Sequence, residues 1–424
     1  MNICLIGIGT RGDLQPLIAL GKGLAARGHR VRVLAGAGFL RWIEGHGLEA
    51  VPAELNMETL MRSELGRTWA DTGANPLVGV KMMRRLFAQQ DEILAADLLR
   101  AADGAEVILS SITTVVHTAS IAEASGALHV CLPLQPSPLA TRHGPSALLA
   151  AAPHRDSALN LLLGKLLEET LWRISGAFAN RLREERLGLP PLTRGEAMAM
   201  LRRTKMVHGC SAHVAPRAPD WPDVWEVCGY WFLDEGKGYE PPEALTRFLD
   251  AGEPPLCVGF GSMTTGDPAA VTRLLVDAVT RSGRRAILLS GWAGLGGVAL
   301  PESILRLDSA PHDWLFPRVS AVVTHGGAGT VAACLRAGRP AVVVPHIADQ
   351  PYWGRRVEEL GLGPAPILRP RLNATRLAAA LQATQDTAMQ RRAEAMGEKI
   401  RAEDGVTVAV ARIEQHMEAH RRGG

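Results

Sequence analysis

Little in this chain points to a charge-driven or membrane-spanning protein. Its 46 basic residues are balanced by 43 acidic ones, a net charge of +3. That excludes nucleic acid or an anionic membrane as the default partner, and any anion must be bound locally. Long apolar runs are missing too, each being broken before the roughly 18 to 20 residues a bilayer crossing needs. Met1 to Gly9 has neither the basic start nor the cleavage site of a signal peptide, so a soluble, cytosolic protein with no integral membrane segment is expected. Six cysteines (Cys4, Cys131, Cys210, Cys228, Cys257 and Cys334) form no C-x-x-C pair and lie mostly in apolar runs, which reads as buried free thiols. Also absent are H-E-x-x-H, G-x-S-x-G, D-x-D and the P-loop pattern. Aromatic residues make only 4%, whereas Gly (44) and Pro (27) are plentiful, a composition suited to many short turns between aliphatic strands and helices.

What is present reads as α/β. A length of 424 residues with 47% hydrophobic and 21% charged side chains implies two domains, each with a sizeable core. In the first half Ile3 to Ile6, Val31 to Ala35, Val107 to Ser110 and Leu128 to Leu132 read as buried parallel strands. Between the first two lies a helix with Asp13 as its expected cap, Pro16 in its first turn, Leu17, Leu20, Leu24 and Ala25 on one face, and Gly28 at its end. The same grammar restarts with Leu256 to Phe260, Ala286 to Ser290, Ala321 to Thr324 and Ala341 to Val344, so two sheets are expected. Pro216 to Pro242, rich in Pro, Gly and Trp, cannot sustain a helix or a central strand and is read as the linker. The expected division is 1–215, a linker at 216–242, 243–400, and a terminal helix over 401–424. Residues 57–100 and 140–205 are extra helical or loop material, with packing helices such as Ala158 to Phe178.

Two glycine-rich turns stand out. Gly7-Ile8-Gly9-Thr10-Arg11-Gly12 matches G-x-G-x-x-G, but a dinucleotide site needs an acid at the end of the second strand, which here reads Leu34-Ala35-Gly36-Ala37. What remains is a turn presenting Thr10, Arg11 and Asp13 at the carboxyl edge of a sheet, Asp13 being either functional or simply the helix N-cap. In the second half Thr324-His325-Gly326-Gly327-Ala328-Gly329-Thr330 leads from a strand into an Ala-rich helix. Small residues there let backbone N–H groups approach a phosphate, with the helix dipole, the Thr330 hydroxyl and His325 adding to the grip; a packing turn is the alternative. Asp349-Gln350 follows the next strand and offers acceptors and donors suited to sugar hydroxyls. Gly259-Phe260-Gly261-Ser262 is a further glycine turn with a hydroxyl, while His416 and His420 are read as part of a solvated tail.

Together, Gly9 to Pro16, Gly229-Tyr230-Trp231-Phe232-Leu233-Asp234, Val258 to Met263, Ser290-Gly291-Trp292 and His312-Asp313-Trp314-Leu315-Phe316 through Gly354 resemble nucleotide-sugar glycosyltransferases with two Rossmann-like domains (the GT-B type, family 1). The likeness is closest to the sterol glucosyltransferase branch and bacterial natural-product enzymes. The resemblance implies two facing domains with a cleft between them, the acceptor pocket mainly in the first and the donor site mainly in the second. It implies inverting transfer of a hexose, glucose being favoured, from a UDP-sugar to a bulky apolar acceptor such as a sterol, macrolide or polyphenol, with no metal. By resemblance Asp13 is the general base, with Thr10 and Arg11 flanking the donor phosphates. His325, Gly327, Gly329 and Thr330 form the diphosphate grip, His325 also serving catalysis. Ala310 and His312 match nucleoside contacts, Asp349 and Gln350 hexose contacts, and Ser262 a donor-side hydroxyl. Plant relatives carry a stacking tryptophan where this chain has Ser309, and Trp292 is the candidate in its place. They also carry an acid behind the base, whereas the region here reads Leu109-Ser110-Ser111-Ile112-Thr113-Thr114. A dTDP-sugar transferase, a nucleotide-sugar epimerase and a non-catalytic nucleotide-sugar binder remain the alternative readings.

Overall fold

A computed structural model describes residues 1–55, 59–60, 63, 76–136, 139–144, 155–261, 267–291 and 298–423. The chain forms two compact units: the first comprises Met1–Leu60, Pro76–Leu233 and Glu403–Gly424, the second Asp234–Ala402 together with 61–75.

In the first unit, β1 (Asn2–Ile6), β2 (Arg30–Gly36), β3 (Glu49–Ala53), β4 (Val107–Ser110), β5 (Leu128–Cys131), β6 (Lys205–His208) and β7 (Trp225–Val227) form a seven-stranded sheet in the order β3-β2-β1-β4-β5-β6-β7. Every neighbouring pair is parallel. The strands read as unbroken apolar runs because both faces are covered. On β1, Ile3 and Leu5 enter a core with Leu17, Leu20 and Leu24 of helix α1 (Arg11–Ala26), while Cys4 and Ile6 join Leu94, Leu98 and Ile121 on the other face. Leu94 and Leu98 come from α3 (Pro76–Ala102) and Ile121 from α4 (Val115–Ser125), α2 being Leu40–Gly45. Truncating a side chain as enclosed as Leu5 to alanine costs about 2–5 kcal/mol.

Helix α1 departs from the expectation at its start. Thr10 is the N-cap, and Asp13 stands three residues on, closing a capping box with it. Pro16 is the sixth helical residue, and the carbonyl it leaves unpartnered, on Gly12, belongs to an exposed residue. Gly28 ends the helix at φ +85°.

The remaining helices of this unit are α5 (Ala158–Arg181), α6 (Arg194–Arg203) and, at the end of the chain, α14 (Gly405–Gly423). Leu159, Leu162 and Leu166 of α5 stay exposed, while Ile174, Phe178 and Ala179 are buried. Helix α14 lies on α1, with Ala409, Val410, Ile413 and Met417 in the β1 core and Glu414 paired with Arg27 and His29 at 3.2 Å. His416 is no part of a solvated tail: it faces Glu226 at 3.5 Å, while His420 meets the Gly126 carbonyl.

The second unit repeats the plan. Strands β8 (Leu256–Val258), β9 (Ala286–Leu289), β10 (Ile304–Leu307), β11 (Ala321–Thr324) and β12 (Ala341–Val343) order as β10-β9-β8-β11-β12, all parallel. The connecting and flanking helices are α7 (Glu243–Asp250), α8 (Pro268–Ser282), α9 (His312–Leu315), α10 (Ala328–Arg336), α11 (Gln350–Glu359), α12 (Ala374–Ala383) and α13 (Thr387–Arg401). Val258, Leu275, Leu288, Val323, Val342 and Leu381 form its core.

Four strands escaped the sequence reading. Edge strands β3, β7 and β10 carry Pro52, Trp225-Glu226 and Arg306, and a strand paired on one side tolerates the polar or proline residues that mask its pattern. Interior β6, Lys-Met-Val-His, is simply too short to show periodicity. Strand β7 also falls inside the segment read as linker, and the first unit continues to Leu233. All six cysteines are free and buried.

Candidate functional site

In each unit the strand order reverses beside the first strand, between β1 and β4 and again between β8 and β11. In open parallel sheets ligands bind at the carboxyl ends of the strands at that reversal. The glycine turns lie at these two places.

In the first unit, two of the three glycines are sterically required. A Cβ on Gly7 would collide with Leu14, and one on Gly9 with the Asp13 carboxylate, whereas Gly12 has room. The turn is therefore shaped around Asp13 rather than around a helix packed on a dinucleotide. The carboxylate accepts the Thr10 N–H at 2.8 Å and the Thr10 hydroxyl at 3.1 Å. Asp13 is open to solvent at its surface, yet the protein crowded round it raises its carboxyl above the ordinary range, opposed by the two bonds from Thr10. Arg11 lies over the Trp42 ring at 4.8 Å, and Trp42 in turn meets Phe39 and His46. At the end of β4, Ser110 bonds Thr118 at 2.8 Å and His129 at 2.9 Å, a buried neutral group with no acid in it. Burial pushes His129 down to about 3.

In the second unit, the turn after β8 contains Gly261, at φ +58°, and His325 directly follows β11. The His325 ring is flanked by Gly261 and Gly327: a Cβ on either would press on it, at 3.0 Å from Cε1 in the first case. Gly327 is the N-cap of α10 and has no side chain to satisfy the first N–H groups, those of Ala328, Gly329 and Thr330. Burial, followed by the neighbouring His346 and His312, lowers His325 to about 3. His312 opens α9 and stacks on Phe316 at 4.3 Å, with Ala310 half-buried just before it.

The loop after β12 carries Asp349 and Gln350, both committed in part to the protein itself. Asp349 accepts the Trp353 indole N–H at 2.7 Å. Gln350 is buried, and its side-chain oxygen accepts the backbone N–H groups of His346 and Ile347 at 2.8 and 3.0 Å. Both partners being donors, that atom is the oxygen, so the acceptor half of Gln350 serves the loop. Just before Asp349, Ala348 takes φ +54°, the left-handed region. The structure thus gathers His325, Gly327, Gly329, Thr330, His312, Ala310, Asp349 and Gln350 in one unit, and Thr10, Arg11 and Asp13 in the other. Ser262 and Trp292 lie outside the described residues. His346 and Trp42 escaped the sequence reading, because ring contacts with distant residues leave no spacing signal.

Known proteins share this architecture. Residues 3–130 match the glycosyltransferase family 28 N-terminal domain, and residues 286–415 match the C-terminal domain of the erythromycin biosynthesis protein CIII-like family. Sterol 3-beta-glucosyltransferases of Leptosphaeria maculans and Neurospora crassa are 33% and 35% identical over 99% of this chain. The chain covers 29% and 27% of those proteins, so it spans less than a third of the length of these curated relatives. Among solved structures, the calicheamicin glycosyltransferase CalG4 is 19% identical, covers 98% of each chain and has a TM-score of 0.67. The Streptomyces sp. SF2575 glycosyltransferase SsfS6, complexed with thymidine diphosphate, is 19% identical over 98% of this chain and 99% of its own, at a TM-score of 0.65. Two parallel-sheet α/β domains give the chain the GT-B fold, with a family 28 glycosyltransferase N-terminal domain and a CIII-like C-terminal domain, and it is a homologue of the sterol 3-beta-glucosyltransferases.

Proposed function

We propose that the chain transfers a hexose, with inversion, from a UDP-sugar to a hydroxyl of a bulky, largely apolar acceptor. The observation that carries this reading is that the two sheets present complementary groups at their reversal points: the carboxylate of Asp13 on one, and the uncapped start of α10 beside His325 on the other. The acceptor oxygen attacks the anomeric carbon as its proton passes to Asp13, and the bond from that carbon to the diphosphate oxygen breaks. A raised carboxyl pKa makes Asp13 a better base, a contribution of roughly 10² to 10⁴ in rate. The departing diphosphate is met by the N–H groups of Ala328, Gly329 and Thr330 and by the helix dipole, with His325 alongside. This chemistry uses no metal. The homologous sterol 3-beta-glucosyltransferases support a sterol-like acceptor and a glucose donor.

Asp13 also closes a capping box, so its replacement must separate catalysis from helix stability. Glutamate is favoured at that box position. Asp13→Glu is therefore expected to keep thermal stability while displacing the carboxylate and lowering turnover at least about tenfold. Asp13→Asn should lose about 10² to 10⁴ in turnover and about 1 kcal/mol of stability. Turnover of Asp13→Glu within twofold of the parent would reduce Asp13 to a capping residue.

A dTDP-sugar is the second reading, favoured by the thymidine diphosphate carried by the similar SsfS6 structure. Competition between UDP-glucose and dTDP-glucose for one acceptor decides between them. Product formed with no acceptor present would point to an epimerase instead.

A further inference from the structure

Three histidines stand in three different loops of the second unit. His325 follows β11, His312 opens α9 after β10, and His346 follows β12; His325 feels the charge of the other two. His346 is buried, its ring 5.3 Å from that of Phe260, the residue before the Gly261 that abuts His325. Its Nδ1 stands 2.9 Å from the Val344 carbonyl oxygen. A carbonyl only accepts, so Nδ1 carries the proton and the neutral ring has a bare lone pair on Nε2. Such a nitrogen repels a phosphate oxygen and engages it only after taking up a proton.

We propose that His346 joins His325 in responding to the diphosphate, and that this cluster takes up a proton when a nucleotide sugar binds. The inference rests on the donor-site reading above. The groups bearing on His346 and His325 are cationic or neutral: Arg369 acts on His346, and His312 and His346 act on His325. The nearby carboxylate of Asp349 is bonded to Trp353. Burial first, and these neighbours second, hold both rings neutral in the unliganded protein, at about 3 for His325 and about 4 for His346. A diphosphate reverses the sign of the local field and draws the proton in. The signs run together: a pKa raised on binding strengthens binding at low pH, and the gain is lost as the pH rises through the bound value.

The test is titration calorimetry with UDP-glucose and, in parallel, dTDP-glucose, without acceptor, in buffers of different ionisation enthalpy. Both phosphates of a nucleotide sugar are diesters, so the ligand does not itself titrate near neutrality. Restoring one ring to its ordinary value of about 6.5 makes binding about fourfold tighter at pH 6 than at pH 8, with over half a proton taken up at pH 6. His346→Gln keeps a partner for the Val344 carbonyl and should halve the uptake or more while still binding at pH 8. Flat affinity and no proton uptake in the parent protein would overturn the proposal without recourse to any variant. Undiminished uptake in His346→Gln would remove His346 from the cluster. Absence of saturable binding of either nucleotide sugar at every pH would instead overturn the donor-site reading.

Discussion

Ala348 carries a backbone conformation that a Cβ disfavours, at φ +54° in the loop just before the two groups proposed to read the sugar. Left-handed geometry costs a non-glycine residue about 1–2 kcal/mol, and such strain collects where the surroundings over-determine it. Here the surroundings are visible: Gln350 ties down the N–H groups of His346 and Ile347, and Trp353 holds Asp349. Ala348→Gly should relieve the strain and lose part of the gain to unfolded-state entropy, a net stabilisation of about 0.5–1 kcal/mol. Urea unfolding reads this directly, and a variant less stable than the parent would mean that the alanine methyl makes contacts worth more than the strain.

At the scale of elements, the start of α10 is the sharpest device in the second unit. Gly327 has φ −61° and ψ 139°, which any residue adopts, so its glycine is not a backbone requirement. The constraint is His325, whose ring occupies the space a Cβ would fill. Gly327→Ala is expected to displace that ring and to leave a poorer N-cap. Affinity for UDP should fall about tenfold, equivalent to about 1.4 kcal/mol, as measured by calorimetry; an unchanged dissociation constant would show that neither the ring nor the helix start touches the nucleotide. Helix α14 is held differently, by Ile413 and Met417 inside the β1 core and by Glu414 at the surface. The apolar contacts dominate there, since exposed ion pairs contribute about 0–1 kcal/mol.

For the whole molecule, separate hydrophobic cores predict separable unfolding. UDP, proposed to bind the second unit alone, should raise one of two calorimetric transitions, by about 2.7 kcal/mol at a hundred times its dissociation constant. Equal shifts in both, or a single transition throughout, would contradict this. The proposed metal-free chemistry predicts turnover unchanged by excess chelator; loss restored by magnesium or manganese would refute it. Buried neutral histidines set the acid limit. His117 and His208 are lowered to about 4 and His129 to about 3, each by burial first. The unfolded chain binds those protons more readily, so stability should fall as the pH drops from about 6.5 towards 4.

The amino-acid pattern alone carried the strands with both faces buried. An unbroken run such as Val-Ile-Leu-Ser at 107–110 answers a local demand, two apolar faces, that needs no knowledge of the neighbours. The glycine turns and the two-domain plan were legible for the same reason. The edge strands were not, because pairing on one side relaxes composition, and nothing local says which side is open. Asp13 was read as a functional acid or the helix N-cap, not as the third residue of a capping box, since Asp suits either position and the register of α1 decides. Only the tertiary structure revealed that Gly9 makes room for a carboxylate, that the Gln350 oxygen is spent on its own loop, and that the His346 ring lies beside Phe260. Each depends on groups brought together by sheet order, a relation between residues far apart in the chain that no local spacing encodes.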